Sequence, residues 1–296
     1  MVFVNSIGAY ASNPNWLRHA EDIGLTFTDL VAPFFIIAIA VTYRSSWLTY
    51  KAKEGKINAF VRFLRRYCAF IGLGFIGSIS LDGLQPIFRW NVLQAIGLAG
   101  VFTLLFIDFG RYLRLIIAMV WLIVYQILLE TLFGDIVFND VHGEFYGGFS
   151  WGAMMLLGTV VADLLDKKRI NDYSIYGIIF TAIGIVLHVI FVDIGLTGIS
   201  KERVSSSYSI ISVGIAALSI YLIYYLYDVK GLEKSRAFFE VQSKNALFLY
   251  LIHSIVYGLI SLGFPESSPF WAVLIFSALS IVVVWYIAYY MNKRKI

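Results

Sequence analysis

The chain has 296 residues, 59% of them apolar and only 14% charged, with a mean hydropathy of +0.79. An ordinary soluble domain holds roughly 45–50% apolar and about 25% charged residues, so a soluble globule is excluded and a polytopic membrane protein, whose apolar surface lipid covers, is required. The single cysteine, Cys68, excludes an internal disulfide framework and any multi-cysteine metal site, and the net charge of +4 gives no nucleic-acid signature because the basic residues gather at helix ends.

In chain order, MVFVNSIGAY is apolar but too short to span, and it lacks the basic n-region and long apolar core of a signal peptide. It reads as the outer end of a helix that begins upstream. Stretches of about 20 mostly apolar residues, the length a spanning helix needs, follow at approximately 24–43, 63–80, 91–107, 113–133, 148–164, 174–194, 207–227, 245–263 and 270–291. They predict an all-α bundle of nine transmembrane helices, or ten with the first, and residues 1–296 read as one transmembrane domain without repeats. Gly72, Gly74 and Gly77 are candidates for close helix approach.

Nineteen of the 23 lysines and arginines fall in 44–66, 108–114, 163–172, 228–244 and 292–296; only Arg18, Arg89, Lys201 and Arg203 fall on the other side. The positive-inside rule makes the first set cytoplasmic. The 9–23, 134–147 and 195–206 loops are then outside, the C-terminus is inside, and a cell membrane is the expected location.

Polar groups inside spans are costly and face a cavity or a partner. Asp29 is expected about five residues into its helix, roughly 8 Å deep at 1.5 Å per residue. Gln94 sits at a similar depth just after Arg89, Glu130 near the outer end of its span, His188 in an outer half, and His253 near the middle of 245–263. His188 reads as an interhelical hydrogen-bond partner; for His253 the structural and functional readings are balanced. His19 lies in the outer loop just above Asp29. Arg62, Arg65 and Arg66 form a cationic rim inside, read either as a topology anchor or as a phosphate site.

The strings MVFVN and RHAEDIGLTFTDLVAPFFIIAIAV resemble the catalytic region of the heparan-alpha-glucosaminide N-acetyltransferase-like transmembrane acyltransferases. That pattern is matched by Asn5, His19, Ala20, Gly24, Leu25, Thr26, Asp29, Leu30, Val31, Pro33 and Phe35. NVLQAIGLAG looks like the family's Gly-Val-Leu-Gln-Arg-Ile segment. ISKERVSSSY resembles a later block through Lys201 and Tyr208, and KNALFLYLIH another through Asn245, Tyr250 and His253. In this chain Ala95 stands where the motif has arginine, Asn91 where it has glycine and Ala40 where it has a helix glycine. The Asp-x-x-Arg-Gly motif of the family's first helix is absent from the given sequence, as is the large lumenal domain of the animal enzyme.

The resemblance implies acetyl transfer across a membrane, from cytoplasmic acetyl-CoA to an amine or hydroxyl of an extracytoplasmic saccharide. It implies no metal, nucleic acid has no place in it, and a homodimer is compatible with it. On this reading Arg62, Arg65 and Arg66, with Lys56 and Gln94, hold the CoA, and the pantetheine threads between helices. His19 acts as general base, Asp29 orients it, and Asn5 bonds the thioester oxygen. An acetyl-histidine is the other route. Arg89, Lys201, Asn245, Tyr250 and His253 are substrate-binding or structural polar residues. Two other readings compete: a transporter, where buried polar groups are also expected, and a non-catalytic binder of a lipid-linked sugar, which Ala95 favours.

Overall fold

The computed structural model describes residues 2–8, 10, 12–82, 85–138, 141–166, 169–232, 236–265 and 267–294. Lys167, Lys168, Lys234 and Lys295, which entered the charge count, lie outside them. Among the described residues six helices are long and apolar enough to cross a membrane: Thr28–Glu54, Arg111–Phe138, Glu144–Leu164, Asn171–Asp193, Ser206–Val229 and Phe270–Arg294. Val92–Phe106 and Ala246–Ser261 are shorter apolar helices. The chain is an all-α polytopic membrane protein.

The helices are α1 (Val2–Ile7), α2 (Val31–Glu54), α3 (Lys56–Gly77), α4 (Val92–Phe106), α5 (Arg111–Leu128) and α6 (Gly134–Phe138). They continue as α7 (Glu144–Asp166), α8 (Asn171–Asp193), α9 (Ser206–Tyr224), α10 (Arg236–Ser243), α11 (Ala246–Ser261) and α12 (Phe270–Arg294). Several boundaries differ from the hydropathy reading. The 44–66 segment is helical rather than a loop. α2 and α3 are separated only by Gly55, whose φ of +81° suits a residue without a Cβ. Hydropathy measures the apolar thickness a helix crosses, and the charged residues that carry a helix past it are invisible to that measure. Likewise α5 runs through a π-helical turn (Leu129–Phe133) into α6, so 134–138 is not loop, and α7 starts at Glu144 rather than 148. Between α3 and α4 stands an antiparallel hairpin, β1 (Ile79–Asp82) and β2 (Gln85–Phe88), which the span count passed over.

The start of α2 needs the largest correction. Residues 24–27 are not helical; Gly24 has φ +145°. A 3-10 turn, Thr28–Leu30, opens the helix. Asp29 is therefore in a first turn, not five residues deep.

The chain packs as two compact units. One comprises Met1–His19, Thr26–Val31 and Leu222–Ile296; the other comprises Ala20–Leu25 and Ala32–Tyr221. In the first unit α1 packs on α12, and Ile7, Tyr10, Leu17, Val273 and Phe276 form a buried cluster. Polar stitches reinforce it: the Ser6 hydroxyl donates to Ser277 Oγ at 2.9 Å, and the Tyr10 hydroxyl donates to the Phe264 carbonyl at 3.0 Å.

In the second unit α4 is the centre, packed on α3 and α7, and α7 also packs on α5. Its small residues let neighbours close in. A Cβ at Gly97 would lie 2.7 Å from the Tyr67 carbonyl oxygen, and one at Gly74 would lie 2.7 Å from Gln94 Cγ. Of the three glycines singled out on α3, Gly74 thus supports close approach, whereas a Cβ at Gly72 or Gly77 would meet nothing within 4 Å. Ala40 of α2 faces Gly158 of α7, where a glycine Cβ would come within 2.7 Å of the alanine methyl.

Asp108, between α4 and α5, ties this unit together at one end. Trp47 Nε1–H donates to Oδ1 at 2.7 Å; the ammonium groups of Lys51 and Lys56 lie at 2.8 and 3.0 Å. Burial pushes this carboxyl up, but the hydrogen bonds from Lys51, Trp47 and Lys56 together outweigh it and hold the group at about 2. A depressed carboxylate stabilises the fold above its ordinary value near 3.8 and loses that contribution as the pH falls through about 2. Asp108→Asn keeps an acceptor for Trp47 but loses both ammonium partners. At pH 7 it is expected to cost about 1–3 kcal/mol. In thermal unfolding of the detergent-solubilised protein, the gap to wild type should close near pH 2; an equal gap at both pH values would refute this role.

Candidate functional site

The candidate residues divide between the units. Asn5, His19, Asp29, Asn245, Tyr250 and His253 are in the first; Arg62, Arg65, Arg66, Arg89, Gln94 and Lys201 are in the second.

In the first unit the loop before α2 brings His19 onto Asp29. His19 Nδ1 lies 2.6 Å from Asp29 Oδ1; the imidazole is 46% exposed and the carboxylate is fully buried. The other carboxylate oxygen, Oδ2, accepts the Thr26 backbone N–H at 2.9 Å. The single hydroxyl proton of Thr26 is shared between two acceptors, Asp29 Oδ2 at 2.9 Å and the Arg18 carbonyl at 2.7 Å. Thr26-x-x-Asp29 has the spacing of a helix-start motif in which an acidic side chain reaches back to an N–H three residues earlier. Thus the turn that opens α2 also fixes the carboxylate. The Thr28 hydroxyl donates to the Leu17 carbonyl at 2.9 Å, pinning the His19 loop to the same turn. An ionised Asp29 can only accept, so His19 carries its proton on Nδ1 and presents the Nε2 lone pair.

A second pair lies on α1 and α11. Asn5 Nδ2 donates to His253 Nε2 at 2.7 Å, and His253 Nδ1 donates to the Tyr250 carbonyl. With Nδ1 donating and Nε2 accepting, both ring nitrogens are occupied and His253 acts as an orienting partner of Asn5. Asn5 itself is exposed and keeps a second amide N–H. The Tyr250 ring lies against His253 with centroids 5.2 Å apart, and Asn245 occupies the N-cap position of α11.

In the second unit Glu54, Asn58, Val61, Arg62, Arg65 and Arg66 line an open recess of about 590 Å³. Arg62 is committed to Glu54 by two hydrogen bonds of 2.7 and 3.1 Å and lies over the Tyr50 ring. Among the described residues neither Arg65 nor Arg66 makes an ion pair. Lys56 is paired with Asp108 and does not line the recess.

Gln94 is fully buried. Its Oε1 accepts the Asn91 N–H at 2.7 Å, and Asn91 Oδ1 caps the helix in return, forming a capping box at the start of α4. Asn91 thus has a structural task, and it also donates to the Gly74 carbonyl at 2.8 Å. Gln94 Nε2 is buried without a partner among the described residues. Ala95 is buried too. Arg89 is exposed, whereas Lys201 is buried and paired with Glu202 at 2.8 Å. His188 Nδ1 accepts the Ile199 N–H at 3.0 Å, a bond to the loop that follows its own helix rather than the interhelical bond expected. Glu130 accepts from Gln126 and from the Thr197 N–H, at 2.6 and 2.9 Å.

Sequence reasoning named Thr26 without giving it a task, and it passed over Asp163, Arg44 and Arg114. The signal for Asp163 was a carboxylate at the end of an apolar run. Its partners are far away in sequence, so no local pattern paired them. No group of three or more His, Cys, Asp or Glu able to hold a metal is present among the described residues.

No family model and no curated protein matches the chain.

Proposed function

We propose that the chain is a membrane acyltransferase that moves an acetyl group from cytoplasmic acetyl-CoA to an amine or hydroxyl of an extracytoplasmic saccharide. The observation that carries this reading is the exposed His19 imidazole held by a fully buried Asp29 at 2.6 Å. That arrangement suits general-base catalysis: one nitrogen is fixed and the other keeps a lone pair. As the acceptor nitrogen or oxygen attacks the thioester carbonyl, Nε2 takes its proton. The C–S bond then breaks and the proton passes to the departing thiolate. The spare N–H of Asn5, whose amide is oriented by His253, is of the type that stabilises a developing oxyanion. The phosphates of the donor are assigned to the recess of Arg62, Arg65 and Arg66.

The test is transfer of radiolabelled acetyl from acetyl-CoA to a panel of amino sugars and polyols in proteoliposomes. Transfer to an acceptor supports the reading; none to any acceptor favours a non-catalytic sugar-binding protein. Coupled uptake of the sugar without acetylation would make it a transporter. Changing Arg65 and Arg66 together to Gln should raise the KM for acetyl-CoA and leave turnover at saturation nearly intact, the mark of lost uniform binding. An unchanged KM with poor membrane insertion would return these residues to a topology role. For orientation, single cysteines in a Cys68→Ala background should label from outside at positions 19 and 142 and only after permeabilisation at 53 and 293. Outside labelling at 53 would invert the scheme.

A further inference from the structure

We propose that Arg44, Arg111 and Arg114 form a second, separate site in the unit built from α2–α9, one that binds a phosphate oxyanion. The guanidinium groups of Arg44 on α2 and Arg114 on α5 meet on one carboxylate of α7, and Arg111 lies one turn before Arg114 on α5. Arg114 Nη2 lies 2.5 Å from Asp163 Oδ2, and Arg44 Nη1 lies 3.1 Å from Asp163 Oδ1. Arg111 Nη2 donates to the Tyr112 hydroxyl at 3.0 Å and its guanidinium lies over the Tyr112 ring, which leaves Nη1 as its spare buried edge. Three positive charges stand around one negative one among the described residues, a local excess that favours an anion as further partner.

The hydrogen bonding is incomplete on the same groups. Arg114 is fully buried and satisfied: besides Asp163 it donates to Thr159 Oγ1 and to the Phe109 carbonyl. Arg44 Nε and Arg111 Nη1, by contrast, are buried N–H groups without partners among the described residues. The start of α5 contributes as well. Gly110 offers its first turn no side-chain cap, so orphan backbone N–H groups and the positive end of the helix dipole stand beside Arg111. Arg114 and Asp163 make a rigid floor. Arg44, whose side chain is 26% exposed, and the half-buried Arg111 keep the site open to a ligand.

The missing acceptors must be anionic and several, and must fit planar donors converging from different directions. A phosphate group meets all three requirements. It can come from a soluble phosphomonoester or from the headgroup of an anionic lipid. The assignment does not depend on acetyl transfer.

The test uses the full chain and two probes in parallel. Thermal unfolding of the detergent-solubilised protein is followed against adenosine 3′,5′-bisphosphate. Unfolding in vesicles is compared between phosphatidylcholine alone and phosphatidylcholine with phosphatidylglycerol. At least one probe should raise the unfolding temperature, and which one does identifies the source of the phosphate. Arg111→Gln and Arg44→Gln should each weaken the soluble probe about tenfold, or abolish the lipid shift, because each removes a charge-assisted hydrogen bond. Lys53→Gln, an exposed charge removed from the same helix as Arg44, should leave the response unchanged. If Arg44→Gln fails to fold, Arg111→Gln decides. A null response of the wild type to both probes, or equal responses in wild type and Arg111→Gln, overturns the site and leaves a purely structural network.

Discussion

His19→Asn is expected to lower acetyl transfer by roughly 10²–10⁴-fold, the worth of a general base, while leaving the protein close to wild-type stability. The choice of asparagine follows from the geometry. His19 is half exposed, but its Nδ1–H serves a carboxylate that is entirely buried. His19→Ala strips that acceptor of a donor and should cost stability by about 1 kcal/mol or more on top of activity. An asparagine amide can still donate to Asp29 but has no lone pair of imidazole basicity. Equal loss of transfer in both variants, with better thermal stability for asparagine, separates chemistry from support. Transfer by His19→Asn at the wild-type rate would sink the catalytic assignment.

Asp29→Asn acts through His19. Its amide oxygen would satisfy Thr26 and turn its NH₂ toward Nδ1, forcing the histidine proton onto Nε2 and removing the base. In serine-protease triads this exchange costs about 10⁴-fold, and a loss of that order is expected here. The double variant should be scarcely worse than either single one, since the pair works as a unit.

Asp163→Ala is expected to be the most destabilising single change, costing about 3–5 kcal/mol. It strands Arg114, which has no exposed surface, and at the same time frees Arg44. Replacing Arg114 and Asp163 together by Met and Leu should recover most of the loss, because the desolvation of both charges disappears with them. Chemical or thermal unfolding of the three proteins in one detergent is the measurement. A single variant as stable as wild type would mean that water or lipid replaces the carboxylate.

What could be read from the sequence was whatever depends on local composition. Apolar runs gave the spans to within a few residues wherever a helix ends at the edge of its apolar zone, as α4 and α12 do. They failed where a helix outruns that zone, as with Lys51 and Lys53 at the end of α2. They failed again at Asp29, because only three-dimensional geometry shows that Gly24 and Thr26 stay outside the helix. The pairing of His19 with Asp29 was legible because ten residues separate them. Asn5 and His253 were named separately and never paired. The Arg44–Asp163–Arg114 network joins residues 119 and 49 apart and left no local trace.

The bond between Asn5 and His253 closes a loop of 248 residues, and its neighbours from Ser6 to Ser277 and from Tyr10 to Phe264 reach further still. This has a consequence for the order of synthesis. α1 leaves the ribosome long before α11 and α12, the helices that will seat it. Leu17, two residues before His19, sits in the same late-closing cluster with Val273 and Phe276. A nascent chain therefore carries α1 and Leu17 without their seat until α11 and α12 are translated and inserted, whereas the helices between residues 32 and 221 draw their partners from a contiguous stretch. The His19–Asp29 pair can close early from its own turn, but the amide of Asn5 gains its orienting histidine only once α11 has been made.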